Sequence, residues 1–163
     1  MAELTPLDEK LAEVLGLAQA AQQATSTVAG MEGAEDLKGV LDRMSEQAAE
    51  TERRTDRYID TLEGRKTAIR ELARETKSEA VEMMKTYLAD EEEALDGFEF
   101  LSMAEAGELC HWEIVQRIAS AAGESQASEL AGWAVDVQRA HVSAVRDAYL
   151  ALASEEAKEM ASA

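Results

Sequence analysis

Leu101 to Ala119 reads LSMAEAGELCHWEIVQRIA, and the spacing inside this stretch decides the kind of fold. At about 100° per residue, Leu101, Ala104, Glu108, Val115 and Ala119 cluster on one face of a helix, and Trp112 falls on it too. Glu108 lies near the middle of that face, with Glu105 and His111 about 60° to either side. Buried charge is costly unless it is paired or bound to something. A Glu108-Leu-Cys-His111 pair projecting inward therefore needs partners, which other helices packed around this one have to supply.

Composition points the same way. The chain has 163 residues, which suits a single domain over 1–163 with an adequate core. One Pro, nine Gly and abundant Ala, Glu and Leu favour helix nearly everywhere. The formal net charge of −18 argues against nucleic acid as a partner, because neutralising phosphates takes clustered Lys and Arg. The basic residues concentrate between Arg53 and Arg74, interleaved with acids, and read as a solvated helix face laced with ion pairs. Cys110 is the single cysteine, so no intrachain disulfide forms and a reducing, cytoplasmic setting fits. No apolar run approaches membrane-spanning length, and Met1 to Gly30 lacks a basic-then-apolar secretion signal.

The rest of the chain divides into helical segments. Thr5-Pro6-Leu7-Asp8 has the cap, first-position proline and capping-box acid of a helix start. The stripe Leu4, Leu7, Leu11, Leu15, Ala18, Gln22, Thr25 then runs to about Gly30. A second helix is expected from about Ala34, with Leu37, Leu41, Met44, Ala48, Thr51, Thr55, Tyr58 and Leu62 inward and a stop at Gly64. Arg65 to Glu93 reads as a helical crossover, broken near Lys77-Ser78 or after Asp90. A fourth helix is expected over about Ala94–Ala122 and a fifth from a cap at Ser125, carrying Leu130, Trp133, Val137, Ala144, Ala148 and Leu152. The tail after about 154 is expected to fray. The fold class that follows is all-α, an antiparallel four-helix bundle with a long helical crossover between helices 2 and 4, the connectivity of ferritin-like bundles.

In such bundles a two-ion centre draws a Glu from each of two helices and a Glu-x-x-His from each of the other two. The fourth helix supplies Glu108 and His111. The fifth offers Gln138-Arg-Ala-His141, with a neutral Gln in the Glu position. The first helix has Gln22 at the centre of its stripe and Asp8 at the edge; the second has Thr51 and Thr55 inside and Glu50 turned away. Three arrangements stay open: a self-satisfied buried network of Glu108, His111 and His141, a mononuclear site for one iron, manganese or zinc ion on Glu108, His111, His141 and Glu105, and a binuclear centre completed by Asp8, Glu50 or another chain.

Cys110-His111-Trp112-Glu113-Ile114, followed by Ala119 to Gly123, resembles the His-aromatic-Glu-Ile stretch and Ala-rich helix end of the ferritin-like YciE/YciF stress-protein family. Glu50-Thr51-Glu52 is similar to that family's second-helix Glu-Thr stretch, and Ala68 to Glu75 to its short crossover helix. The resemblance covers Leu37 to Leu152 and implies a ferritin-like bundle associated with stress responses, with no established activity. Cys110 stands where the family has a Glu, Gln47 where it has a His, and Asp136 and Gln138 where it has an acidic pair.

The reading is of a non-enzymatic, stress-associated bundle with a vestigial or mononuclear metal site. One alternative is a redox-active metalloprotein, oxidase or peroxidase-like, using Glu108, His111 and His141. Another is an acidic interaction or assembly module for a basic protein partner. Met83, Met84 and Leu88 are the candidate strip for a homo-oligomer.

Overall fold

The first helix starts as its sequence dictates. Asp8 N–H donates to the Thr5 hydroxyl (3.2 Å) and Thr5 N–H donates to the Asp8 carboxylate (2.8 Å), closing the capping box. The structure, a computed structural model, describes residues 3–163. It is all-helical, with α1 (Pro6–Ala29), α2 (Lys38–Ile59), α3 (Lys66–Tyr87), α4 (Ala94–Ala122) and α5 (Ser125–Ser162). A 3₁₀ turn, Glu35–Leu37, leads into α2.

α1 is the central element, packed against α2, α3 and α4, while α4 packs along α5 and α2 touches α5. This explains why α1 is apolar on most sides: Leu11, Ala12, Val14, Leu15, Ala18, Ala21 and Val28 are all buried. The close approach of α3 requires Gly16. A Cβ there would fall 2.5 Å from the Ala73 carbonyl oxygen and 2.8 Å from Thr76 Cβ. The α1–α2 and α3–α4 links are tied together by Glu32 N–H donating to Glu92 O (2.9 Å) and Ala94 N–H to Glu32 O (2.8 Å).

The bundle interior is layered. Towards one end, Ala24, Val28, Leu41, Met44, Phe98, Leu101 and Val145 pack together. Towards the other, Leu7, Leu11, Trp112, Val115, Ala131 and Val135 do so. Between Leu101 and Trp112 on α4, and between Val135 and Val145 on α5, four buried positions are polar: Glu105, Glu108, Gln138 and His141.

Several boundaries differ from the sequence expectation. α2 ends at Ile59 rather than near Gly64, and Gly64 instead takes a left-handed conformation (φ 79°) in the turn before α3. The crossover is one unbroken helix, interrupted only between Leu88 and Glu93, because Lys77 packs against α1 at Gly16 and has no reason to leave the helix. Glu124, not Ser125, is the residue before α5. The segment after 154 is helical in the structure. α5 continues to Ser162 through strong helix formers, helped by a Lys158–Glu155 pair (2.6 Å), with every residue from Ala153 exposed. Met84 and Leu88 belong to the core, so of the strip proposed for self-association only Met83 faces outward.

The basic segment is a solvated, ion-paired face, as expected. Arg53 and Arg54 bind Glu50 (2.7 and 2.8 Å), and Arg70 bridges Asp56 and Asp60 (2.8 and 2.9 Å). Arg54 also lies 4.0 Å over the Trp133 ring, linking α2 to α5. No helix among the described residues is long and apolar enough to cross a membrane.

Candidate functional site

The polar layer is built from three helices. His141 of α5 is 3 % exposed and uses both ring nitrogens: Nδ1 lies 3.0 Å from Glu105 Oε2 on α4, and Nε2 lies 2.7 Å from Gln47 Oε1 on α2. Gln138, one turn before His141, donates Nε2–H to the same Glu105 oxygen at 2.9 Å. The i, i+3 spacing of Gln138 and His141 puts them on one face, so a single carboxylate collects both.

With the Gln47 carbonyl turned toward it, His141 faces an oxygen at each nitrogen, which satisfies a doubly protonated ring. Turning the amide over presents an N–H to Nε2 and satisfies the neutral ring. An amide side chain can meet either form of the ring with one of its two ends.

Glu108 is beside this network but outside it. It borders a small cavity of about 60 Å³ among Leu17, Ala20, Ala21, Val81, Met84 and Leu101, between α1, α3 and α4. Burial, and next the charge of Glu105, push its carboxyl well above the usual carboxylate range, and no hydrogen bond opposes that. Burial thus favours the protonated form of Glu108 over the ionised one.

His111 does not join the layer. The expectation of two inward histidines is corrected here: His111 is half-buried on the α1 side of α4, with Nδ1–H donating to Gly107 O (2.8 Å) and Nε2 3.2 Å from Glu13 Oε2. Its position about 60° from Glu108 on the wheel carries it past the layer to the α1–α4 rim. The structure therefore brings together Glu105, His141 and, nearby, Glu108, and sets His111 apart. Among the described residues no three His, Cys, Asp or Glu side chains converge in a manner that could hold a metal ion.

Protein-family models, curated proteins and solved structures were compared with the chain, and none matches.

The remaining polar contacts hold helices together. Glu52 on α2 accepts from Gln19 Nε2 (3.1 Å) and Gln22 Nε2 (2.6 Å) on α1. Asp8, expected at the edge of the α1 stripe, is 1 % exposed and is matched by Arg65 at 2.7 Å across the α2–α3 turn. Neither Asp8 nor Glu50, the candidates for completing a binuclear centre, approaches Glu105: Asp8 serves the α1 cap and Arg65, and Glu50 serves Arg53 and Arg54. Sequence reasoning placed Gln47 and Gln138 at family positions without assigning them a role. The signal available was their residue type, amides at inward positions aligned with a buried carboxylate and imidazole. Glu52 was quoted only within the Glu50–Glu52 stretch, and nothing in its spacing names Gln19 and Gln22 of α1 as its partners.

Proposed function

We propose that this chain is a non-enzymatic, ferritin-like helical bundle whose metal centre is vestigial and has become a hydrogen-bonded layer holding three helices in register. The observation that supports this most directly is the engagement of His141. Both of its nitrogens and the facing Glu105 oxygen are taken by protein groups. A two-ion carboxylate centre needs several anionic oxygens for charge balance, and the inward positions hold the neutral amides Gln47 and Gln138 instead. The residues present do not fit such a centre. Buried polar networks that are fully satisfied do specify a unique arrangement of helices. The stress association rests on the likeness of the Cys110–Ile114 and Glu50–Glu52 stretches to the YciE/YciF family.

One observation favours a second reading, a mononuclear site: the Glu108 carboxyl has no protein partner and stands beside Glu105. The redox-enzyme alternative would rest on this same group.

Metal content after reconstitution with ferrous iron, manganese and zinc separates the two. The vestigial reading expects no stoichiometric ion in the wild type, and uptake in a Gln47→His/Gln138→Glu variant that restores charged ligands. A stoichiometric ion in the wild type that is lost in Glu108→Gln would establish the mononuclear site and overturn the vestigial one.

A further inference from the structure

The outward face of α4 is uncharged along its middle. By the wheel, Met103, Gly107, Cys110 and Ile114 form its outer line, opposite the buried Leu101, Glu105, Trp112 and Ala119. Met103 is 53 % exposed and Ile114 36 %, and Ala106 and Cys110 are exposed beside them. His111 and Glu113 stand at the two borders. Charge returns to the line only at its ends, with Asp96 and Glu99 at one and Arg117 at the other. Among the described residues neither Glu99 nor Arg117 forms a salt bridge. Such a face is notable in a chain of net charge −18 in which 31 % of residues are charged.

Gly107 is a second and independent observation. A glycine in mid-helix destabilises the helix relative to alanine, so it needs a packing reason. Gly16 and Gly97 have one inside the chain: a Cβ would fall 2.5 Å from Ala73 O at the first and 2.6 Å from Met31 Sδ at the second. At Gly107 a Cβ meets nothing within 4 Å. Nothing in the chain uses the missing side chain, whereas a helix laid against α4 from outside would.

We propose that a second copy of this chain docks on this line, α4 against α4, antiparallel about a twofold axis. In the register that sets Gly107 opposite Cys110 of the partner subunit, Met103 meets Ile114 of the partner subunit. Glu99 then comes within one residue of the level of Arg117 of the partner subunit. Every contact occurs twice, as an isologous interface requires. Parallel packing would instead set Glu99 beside its own copy and Arg117 beside its own. Ala106 and Gly107 let the axes approach to about 8 Å, the close end of the helix-packing range. The contact from Glu99 to Arg117 is about 27 Å long at 1.5 Å per residue. One helix pair of that length buries no more than about 1,200 Å², the low end for specific interfaces, so the dimer is a weak one. This inference is independent of whether the interior layer binds metal.

The test is sedimentation equilibrium over a concentration series, with circular dichroism confirming that each variant keeps its fold. The wild type is expected to dimerise. Gly107→Leu, at a half-buried site where a Cβ meets nothing within 4 Å, is expected to stay folded and monomeric. Glu99→Arg and Arg117→Glu are each expected to weaken the dimer about tenfold, and the double reversal to restore it, because the antiparallel register exchanges the two charges. Cys110 provides a second readout: its two copies lie about 6 Å apart between Cα atoms in this register, within reach of a short bismaleimide. A wild type that is monomeric throughout, a dimer indifferent to Gly107→Leu, or a double reversal no better than the singles would each overturn the proposal.

Discussion

Replacing Glu108 with Gln should stabilise the protein by an amount that grows with pH. Glu108 is 5 % exposed, and burial followed by the charge of Glu105 holds its carboxyl well above the usual range. In the unfolded chain a Glu ionises near about 4.3. Between that value and the raised folded value, the folded state carries a proton that the unfolded state has lost. Stability of the wild type therefore falls with rising pH across this window, by up to about 1.4 kcal/mol per pH unit for one proton. Below the window both states are protonated and Glu108 contributes no pH dependence; above it the penalty is complete and constant. Gln keeps the shape and cannot ionise, so the variant lacks this slope. Glu50 and Asp60, held low by Arg53, Arg54 and Arg70, give the opposite trend, a contribution present at neutral pH and lost on acidification. That trend is common to both proteins and cancels in their difference. The assay is urea unfolding followed by circular dichroism at a series of pH values upward from about 4. A stability difference that stays flat with pH, or a wild type that gains on the variant as pH rises, would refute the reasoning.

Three further outcomes follow from the packing. His141→Ala removes a buried ring and two of the layer's hydrogen bonds and should cost about 2–5 kcal/mol in urea unfolding; a cost below about 1 kcal/mol would mean the layer does not hold the helices. Gly16→Ala should destabilise by about 1–3 kcal/mol despite the better helix propensity of alanine, because the new Cβ meets backbone at 2.5 Å, whereas Gly107→Ala, with open space around it, should raise the thermal midpoint measured at low protein concentration. Arg65→Ala leaves Asp8 without its cross-chain partner and should cost about 1–3 kcal/mol, detected as a lower urea midpoint, with Arg65→Lys recovering part of the loss.

The helices were legible because their signals are local. The Thr5 cap with Pro6 and Asp8, the 94–122 period and the Gly123 stop each lie within a few residues, and the structure has α4 at Ala94–Ala122 with Gly123 at φ 74°. The Glu105–Glu108 face was legible for the same reason. Partner choice was not, because it depends on the register between helices, which no local period contains. His111 and His141 read alike on their own wheels, yet one meets Glu13 on the rim and the other Glu105 in the centre. Met84 and Leu88 read as leftover apolar positions because the sequence does not say that α3 closes over one end of the core beside Ala24 and Phe98. Asp8 read as an edge residue because its partner, Arg65, lies 57 positions away.

The charge count of the interior ties these results together. Glu105, Glu108 and His141 are the buried titratable groups of the layer, and Gln47 and Gln138 are its neutral amides. Glu105 Oε2 faces the His141 imidazole and accepts from Gln138, and Gln47 takes the other ring nitrogen. Every member except Glu108 is accounted for by holding α2, α4 and α5 together. Glu108 makes no hydrogen bond, and its raised carboxyl is expected to weaken the fold as pH rises, a cost that helix register does not require. Residues that cost stability without a structural return are characteristic of functional positions. A Glu108→Gln protein that is more stable and unchanged in partner binding and metal content would leave Glu108 without a part in either. A more stable protein that has lost one of these would assign that activity to Glu108 and the cavity it borders.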